Sequence, residues 1–239
     1  MEKEAVQDNY LFFSSEDLIH YFMNNLAEKD LKTQTKRIME MAKVFMAKKG
    51  YDLEDIYSLL VMLRDMDQRP IINEVIKLYF NKDHYPIRVI MQIGELENTA
   101  DLEIEFSAYK GEKRFINSEK GHLPTGPYSQ AVVVENYVHC SGVRPVDPLS
   151  QKLIEGDCRQ KTRRCLDNLE VVLQTAGTGL DCAYAFMVYL TDLELLPQIE
   201  EVFAEYNLDG ENVLQEVTKV EKLNEGHELE ISCSAFLAV

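Results

Sequence analysis

The chain has 239 residues, with 41 acidic against 25 basic side chains, so its formal net charge is −16. A surface this acidic repels phosphate backbones and anionic membranes, which argues against a nucleic-acid binder and makes a ribonuclease reading poor. At 46% hydrophobic residues the chain can bury real cores, and its length allows one large domain or two of about half that size.

Met1 to Glu4 shows neither a basic nor an apolar targeting segment, and the longest apolar runs, such as Leu59 to Leu63, fall far short of the ~18 residues that span a bilayer. A cytoplasmic protein without membrane association is expected. The five cysteines (Cys140, Cys158, Cys165, Cys182 and Cys233) form no CxxC pair and read as reduced thiols. The five histidines lack ligand spacing, so no metal site is expected.

Taken in chain order, the predicted elements run through one series twice. A short aromatic and β-branched run, Tyr10 to Ser14, suits a strand. Apolar residues at Ile38, Met41, Ala42, Phe45 and Met46 recur with helical spacing, and Gly50 follows where a capping glycine belongs. Tyr57 to Leu63 is apolar at nearly every position, as in a strand covered on both faces. A second helix carries Glu74-Val75, and strands Ile87 to Ile93 and Leu102 to Ala108 close the unit. After a polar stretch the series resumes with Tyr137 to Ser141, a helix through Cys165, Leu169, Val172 and Leu173, Gly177, and Tyr184 to Leu190. A helix carrying Glu201-Val202 and strands Val213 to Val220 and Leu229 to Leu237 complete it.

The correspondence is a repeat at an offset of 127 positions, gap-free from Val6, with 27 of 107 aligned residues identical. Chance would give roughly one in seventeen. The expected architecture is α+β: residues 1–112 form a first copy, truncated at its start, 113–122 a linker, and 123–239 a second copy. Two helices cover one face of each sheet, so Leu60, Met62, Met187 and Tyr189 on the other face need a partner. Sheet packing between copies, or between chains in a homotrimer, would supply it.

The opening of copy two, GPYSQAVVVENYVHCSGVRPVDP, with its EGD before a Thr-Arg helix, its LTDL and its closing HELEISCSA, resembles the reactive-intermediate deaminase family (RidA/YjgF, also labelled L-PSP endoribonuclease). Copy one resembles the same family over its last two thirds. The resemblance implies chorismate-mutase-like units that close threefold rings, and hydrolysis of imines or enamines without metal or organic cofactor. It implies that an arginine on the penultimate strand grips the substrate carboxylate and that a glutamate on the last strand positions water. Arg88 and Glu103 match these in copy one; in copy two Glu230 matches, but Gln215 replaces the arginine. A neutral amide cannot make the bidentate, charge-assisted contact that a guanidinium makes. Tyr128 of GPY and the Ser141-Gly142 loop, whose backbone NH groups would meet the ligand, match only in copy two. Since family sites lie between subunits, the two half-sets can meet. A tandem of such units also resembles the C-terminal part of eukaryotic diphthine-ammonia ligases, which makes a ligase domain a candidate partner. Neither an SGGKDS-like loop nor GxxxxGK[ST] occurs, so ATP-dependent activation of a carboxylate is not expected of these residues.

Plainer readings stand beside these. Arg88 is also compatible with an edge arginine paired to Glu103 or Glu105, the two glutamates with a solvated strand face, and Tyr128 with a packing aromatic. Two functions compete: an imine or enamine hydrolase with a composite site of Arg88, Glu103, Tyr128 and Ser141, and a non-catalytic tandem that binds a small carboxylate or imine through Ser141, Gly142, Glu230 and Gln215.

Overall fold

The computed structural model describes residues 5–7, 9–22, 30–96, 100–208 and 213–238, with the backbone alone at 5–7, 214 and 215. Copy one begins with a hairpin, β1 (Ala5–Gln7) and β2 (Tyr10–Ser14), followed by α1 (Ser15–Tyr21) and α2 (Leu31–Lys48). β3 (Ile56–Leu63), α3 (Arg69–Tyr79), β4 (Ile87–Gln92) and β5 (Leu102–Tyr109) complete it. β6 (Lys113–Ile116) then pairs with β7 (Ala131–Val134), which turns into β8 (Tyr137–Cys140). The small ribbon of β9 (Val146–Asp147) and β10 (Lys152–Leu153) precedes α4 (Cys158–Ala176). β11 (Ala183–Leu190), α5 (Leu196–Glu205), β12 (Leu214–Lys219) and β13 (Leu229–Phe236) end the chain.

Local chemistry explains the boundaries. Asp30 and Asp157 cap α2 and α4 by accepting from the Thr33 and Gln160 amides, and α4 stops at Gly177, whose φ of 102° disfavours other residues. Ser14 and Asp17 form a reciprocal capping box that starts α1, an element with no helical counterpart in copy two. The four-residue strand β6 occupies part of the expected linker: Ile116 is buried, and its pairing lengthens the second sheet by one strand.

Both sheets share one topology. Their orders are β1-β2-β5-β3-β4 and β6-β7-β8-β13-β11-β12, so β4 and β12 are equivalent edge strands, each parallel to its neighbour. Each sheet buries one face under its own helices. Leu59, Val61, Ile104 and Phe106 face α2 in copy one, as Phe186, Val188, Ile231 and Cys233 face α4 in copy two.

The opposite faces meet each other within the chain. Val89 and Met91 of β4 pack with Tyr189, Val220 and Leu223, joined by Leu60, Met62 and Met187, the residues expected to need cover. Tyr57, Ile87 and Tyr109 pack with Val132 and Val134. The outer edge of β4 is also hydrogen-bonded across the join: Gln92 N donates to Lys222 O (2.9 Å) and Glu221 N to Gln92 O (2.8 Å). Gly142 N donates to Arg88 O (3.2 Å) and Ser129 N to Pro86 O (3.3 Å). Copy one thus inserts its edge strand into copy two, a head-to-tail contact and not a two-fold one.

Candidate functional site

The side chains of β4 alternate across its sheet. Ile87, Val89 and Met91 point to the join, whereas Arg88 and Ile90 point to the helix side, where α3 supplies Asn73 and Arg69. On β13 the phase is reversed in effect: Leu229 and Ile231 fill the copy-two core, which turns Glu230 onto the face that receives β4. The join therefore brings Arg88 of copy one beside Tyr128, Gly142, Arg144 and Glu230 of copy two, around a cavity of about 20 Å³ also walled by Arg69, Ile90, Thr125 and Asn224. That is room for about one water.

Arg88 is 4% exposed. Its Nη1 donates to Asn73 Oδ1 (2.6 Å), its guanidinium carbon lies 5.2 Å from the centre of the Tyr128 ring, and its buried Nε has no partner. Among the described residues it forms no ion pair with a carboxylate. Burial lowers its pKa to about 10, with the Arg69 cation adding to the shift. It still carries its charge at neutral pH, stacked on an aromatic face and bonded to one neutral amide. Planar and charged, the guanidinium has the geometry to donate to a carboxylate.

Glu230 is 5% exposed, and its Oε2 is 3.4 Å from His227 Nε2. It fits only because residue 142 is glycine: a Cβ there would stand 2.7 Å from the Glu230 Cδ. Gly126 makes similar room for Arg88, since a Cβ at that position would stand 2.7 Å from Nη2. Arg144 is tied to Glu225 (2.8 Å), a residue held at a φ of 61°. His122 is buried with both ring nitrogens unpartnered, and burial lowers its pKa to about 4.

Among the residues expected from sequence, Arg88, Tyr128, Gly142 and Glu230 come together on the cavity wall. Ser141 supports them. Its Oγ accepts from Arg88 N (2.9 Å) and donates to Ser129 O (2.7 Å), so it fixes the strand that carries the arginine. The expectation that the Ser141 and Gly142 amides meet a ligand is corrected: Ser141 N donates to Gln130 O (2.9 Å), and Gly142 N to Arg88 O. Glu103 does not line the cavity. It pairs in register with Met62, on the face of the first sheet opposite Arg88, so neither a catalytic pair nor an ion pair between Arg88 and Glu103 forms, and Glu105 shares that opposite face. Gln215 lies on β12, and its side chain is outside the described residues.

Sequence reasoning missed Arg69, Asn73 and Arg144. Arg144 had a signal, a charged residue inside the apolar SGVRPV loop; Arg69 and Asn73 sit on an ordinary amphipathic helix and had none. Among the described residues, no group of three His, Cys, Asp or Glu is placed to hold a metal ion, and no helix is long and apolar enough to cross a membrane.

Comparison with known proteins gives consistent matches. The family model described as Endoribonuclease L-PSP matches twice, over residues 4–110 and 119–237. A RutC family protein of Pyrococcus abyssi is 37% identical over 94 residues, 39% of this chain and 74% of the relative. Protein mmf1, mitochondrial, of Schizosaccharomyces pombe is 34% identical over 122 residues, 50% of this chain and 74% of the relative. The solved structure of YyfA from Yersinia pestis, of the conserved Rid protein family, superposes with a TM-score of 0.50 at 28% identity, covering 53% of this chain and 100% of that one.

Proposed function

The chain belongs to the endoribonuclease L-PSP (RidA/YjgF) family, with two units in one polypeptide, and from that premise we propose that it binds a small carboxylate or imine-type metabolite at the join and hydrolyses the imine. The observation that carries the reading is Arg88, a buried guanidinium with an open Nε and no carboxylate partner among the described residues. A ligand carboxylate would supply the missing charge and accept from the guanidinium.

In the proposed reaction a 2-imino acid and water give a 2-oxo acid and ammonia. The water oxygen bonds to the imine carbon, the carbon–nitrogen bond breaks, and the water protons leave with nitrogen. Arg88 holds the carboxylate, and Tyr128 covers the guanidinium. Glu230 is the group that orients the water and takes its proton, with His227 bounding its position. A nucleic-acid substrate fits poorly, because the net charge is −16 and the arginines line a cavity of about 20 Å³.

The engaged amides of Ser141 and Gly142 favour a second reading, binding without turnover, because they leave no backbone donors for a developing charge. One assay separates the two. An amino-acid oxidase generates imine, and ammonia release is followed with and without the protein. Turnover predicts faster release that Arg88→Ala and Glu230→Gln abolish. Equal release by wild type and Arg88→Ala would sink the catalytic reading.

A further inference from the structure

We propose that this seat is built for a dicarboxylate, a 2-imino or 2-oxo diacid, with Arg88 taking the carboxylate beside the reacting carbon and Arg69 taking the distal one. The proposal rests on the carboxylate-binding reading of Arg88 and goes beyond it in assigning Arg69 and the substrate class.

The inner cavity of about 20 Å³ admits little more than a carboxylate head. The rest of a ligand must lie outside it. Arg69 and Asn224 wall both this cavity and an adjoining cleft of about 440 Å³ bounded by Met66, Asp67, Lys222 and Glu225. In that cleft the other charges are already matched: Lys222 Nζ lies 2.6 Å from Asp67 Oδ1, and Arg144 Nη1 2.8 Å from Glu225 Oε2. Arg69 has no ion pair among the described residues. Burial, with Arg144 nearby, lowers its pKa, so its charge is incompletely solvated where it stands.

Formal charge makes the same distinction. Once the two matched pairs are set aside, Arg88 and Arg69 face Glu230 alone, one positive charge in excess. An iminium acid with one carboxylate has no net charge and leaves that excess in place, and a second carboxylate removes it; for an oxo acid the first carboxylate already cancels the excess, and the gain from a second rests on Arg69, whose neighbours are matched while it is not. Because it lines both cavity and cleft, Arg69 is where the second carboxylate of a short diacid would arrive, and its planar guanidinium can receive it bidentately.

The test is calorimetric titration of the full chain with 2-oxoglutarate and oxaloacetate, each against its distal methyl ester, which keeps the shape and removes the second charge. The proposal predicts that at least one diacid binds about tenfold or more tightly than its ester. Arg69→Gln should collapse that ratio towards one, and Arg69→Lys should keep part of it, with thermal unfolding confirming that both variants fold. Equal affinity of diacid and ester, or a ratio that survives Arg69→Gln, overturns the assignment of Arg69. If esters and diacids bind equally and Arg88→Gln weakens both, only this proposal fails. If no ligand binds wild type, the carboxylate reading fails and takes the proposal with it.

Discussion

β4 and β12 are equivalent strands in two copies of one fold, yet among the described residues β4 is docked along its length, whereas beside β12 only Val220 reaches the join. Ile87, Val89, Met91 and Ile93 of copy one correspond at the 127-residue offset to Leu214, Glu216, Thr218 and Val220. The face of β4 that meets copy two is apolar throughout, whereas β12 has Glu216 and Thr218 at the two middle positions, hydrogen-bonded to each other. The receiving surface has diverged in parallel. Gly142 leaves room for Glu230, while its counterpart Ser15 opens α1 and uses its Oγ to accept from Ile104 N. A duplicated fold offers two such contacts, and among the described residues one is made. Arg88 survives on the docked strand and Gln215 stands on the other one.

The largest expected effect compares the two matching glutamates. Glu230→Gln should lower imine hydrolysis by about 10²-fold or more, as loss of a general base does. Glu103→Gln, on the face opposite Arg88, should stay within about twofold of wild type. Similar losses in both variants, measured as ammonia release, would break the distinction between the copies.

Next comes the join itself. Met91 is 2% exposed between the sheets, so Met91→Ala should cost about 2–5 kcal/mol in denaturant unfolding. Thr218→Ala on the equivalent strand should stay within about 0.5 kcal/mol. Comparable costs would mean that β12 is buried against something as extensive as the β4 join.

Acid should act on copy two through its buried imidazoles. His139 stands where copy one has Phe12, and His122 precedes the region that copy one shares. Burial lowers both imidazoles to about 4, below the unfolded value of ~6.5. Between those values the unfolded chain binds more protons, so stability falls as pH drops from about 6.5 through 4, by up to about 3 kcal/mol for the fully buried His122. His139→Phe should flatten part of that slope in unfolding series at pH 7 and pH 4.5; an unchanged slope would show that other groups govern it.

A smaller effect follows from exchanging the residues that set the receiving surface. Gly142→Ser forces a side chain against Glu230 and should cost about 1–3 kcal/mol while abolishing carboxylate binding. Ser15→Gly loses one buried hydrogen bond, about 1–3 kcal/mol, and should leave binding in place. Intact binding in Gly142→Ser would remove the role given to that glycine.

Much of this architecture was legible in the residues. The gap-free repeat placed equivalent strands, and near-continuous apolar runs placed both β3 and β11 and the partnerless face of Leu60 and Met187. The helix α1 was hidden because Ser14-Ser15-Glu16-Asp17 aligns with a loop in copy two, and only the capping box reveals it. β6 was hidden because Lys113 to Ile116 has linker composition and becomes a strand by pairing with β7. The site was half legible. Arg88 and Glu103 are fifteen residues apart on neighbouring elements and look like a pair, but strand phase sends them to opposite faces. Which glutamate meets Arg88 depends on head-to-tail docking, a relation between copies that no pattern within either copy records.

The central claim is that one site, and only one, is assembled from both copies. Calorimetric titration with pyruvate counts sites directly. The account predicts one ligand per chain, lost both in Arg88→Ala of copy one and in Gly142→Ser of copy two. Two ligands per chain, or one that survives Arg88→Ala, would contradict it.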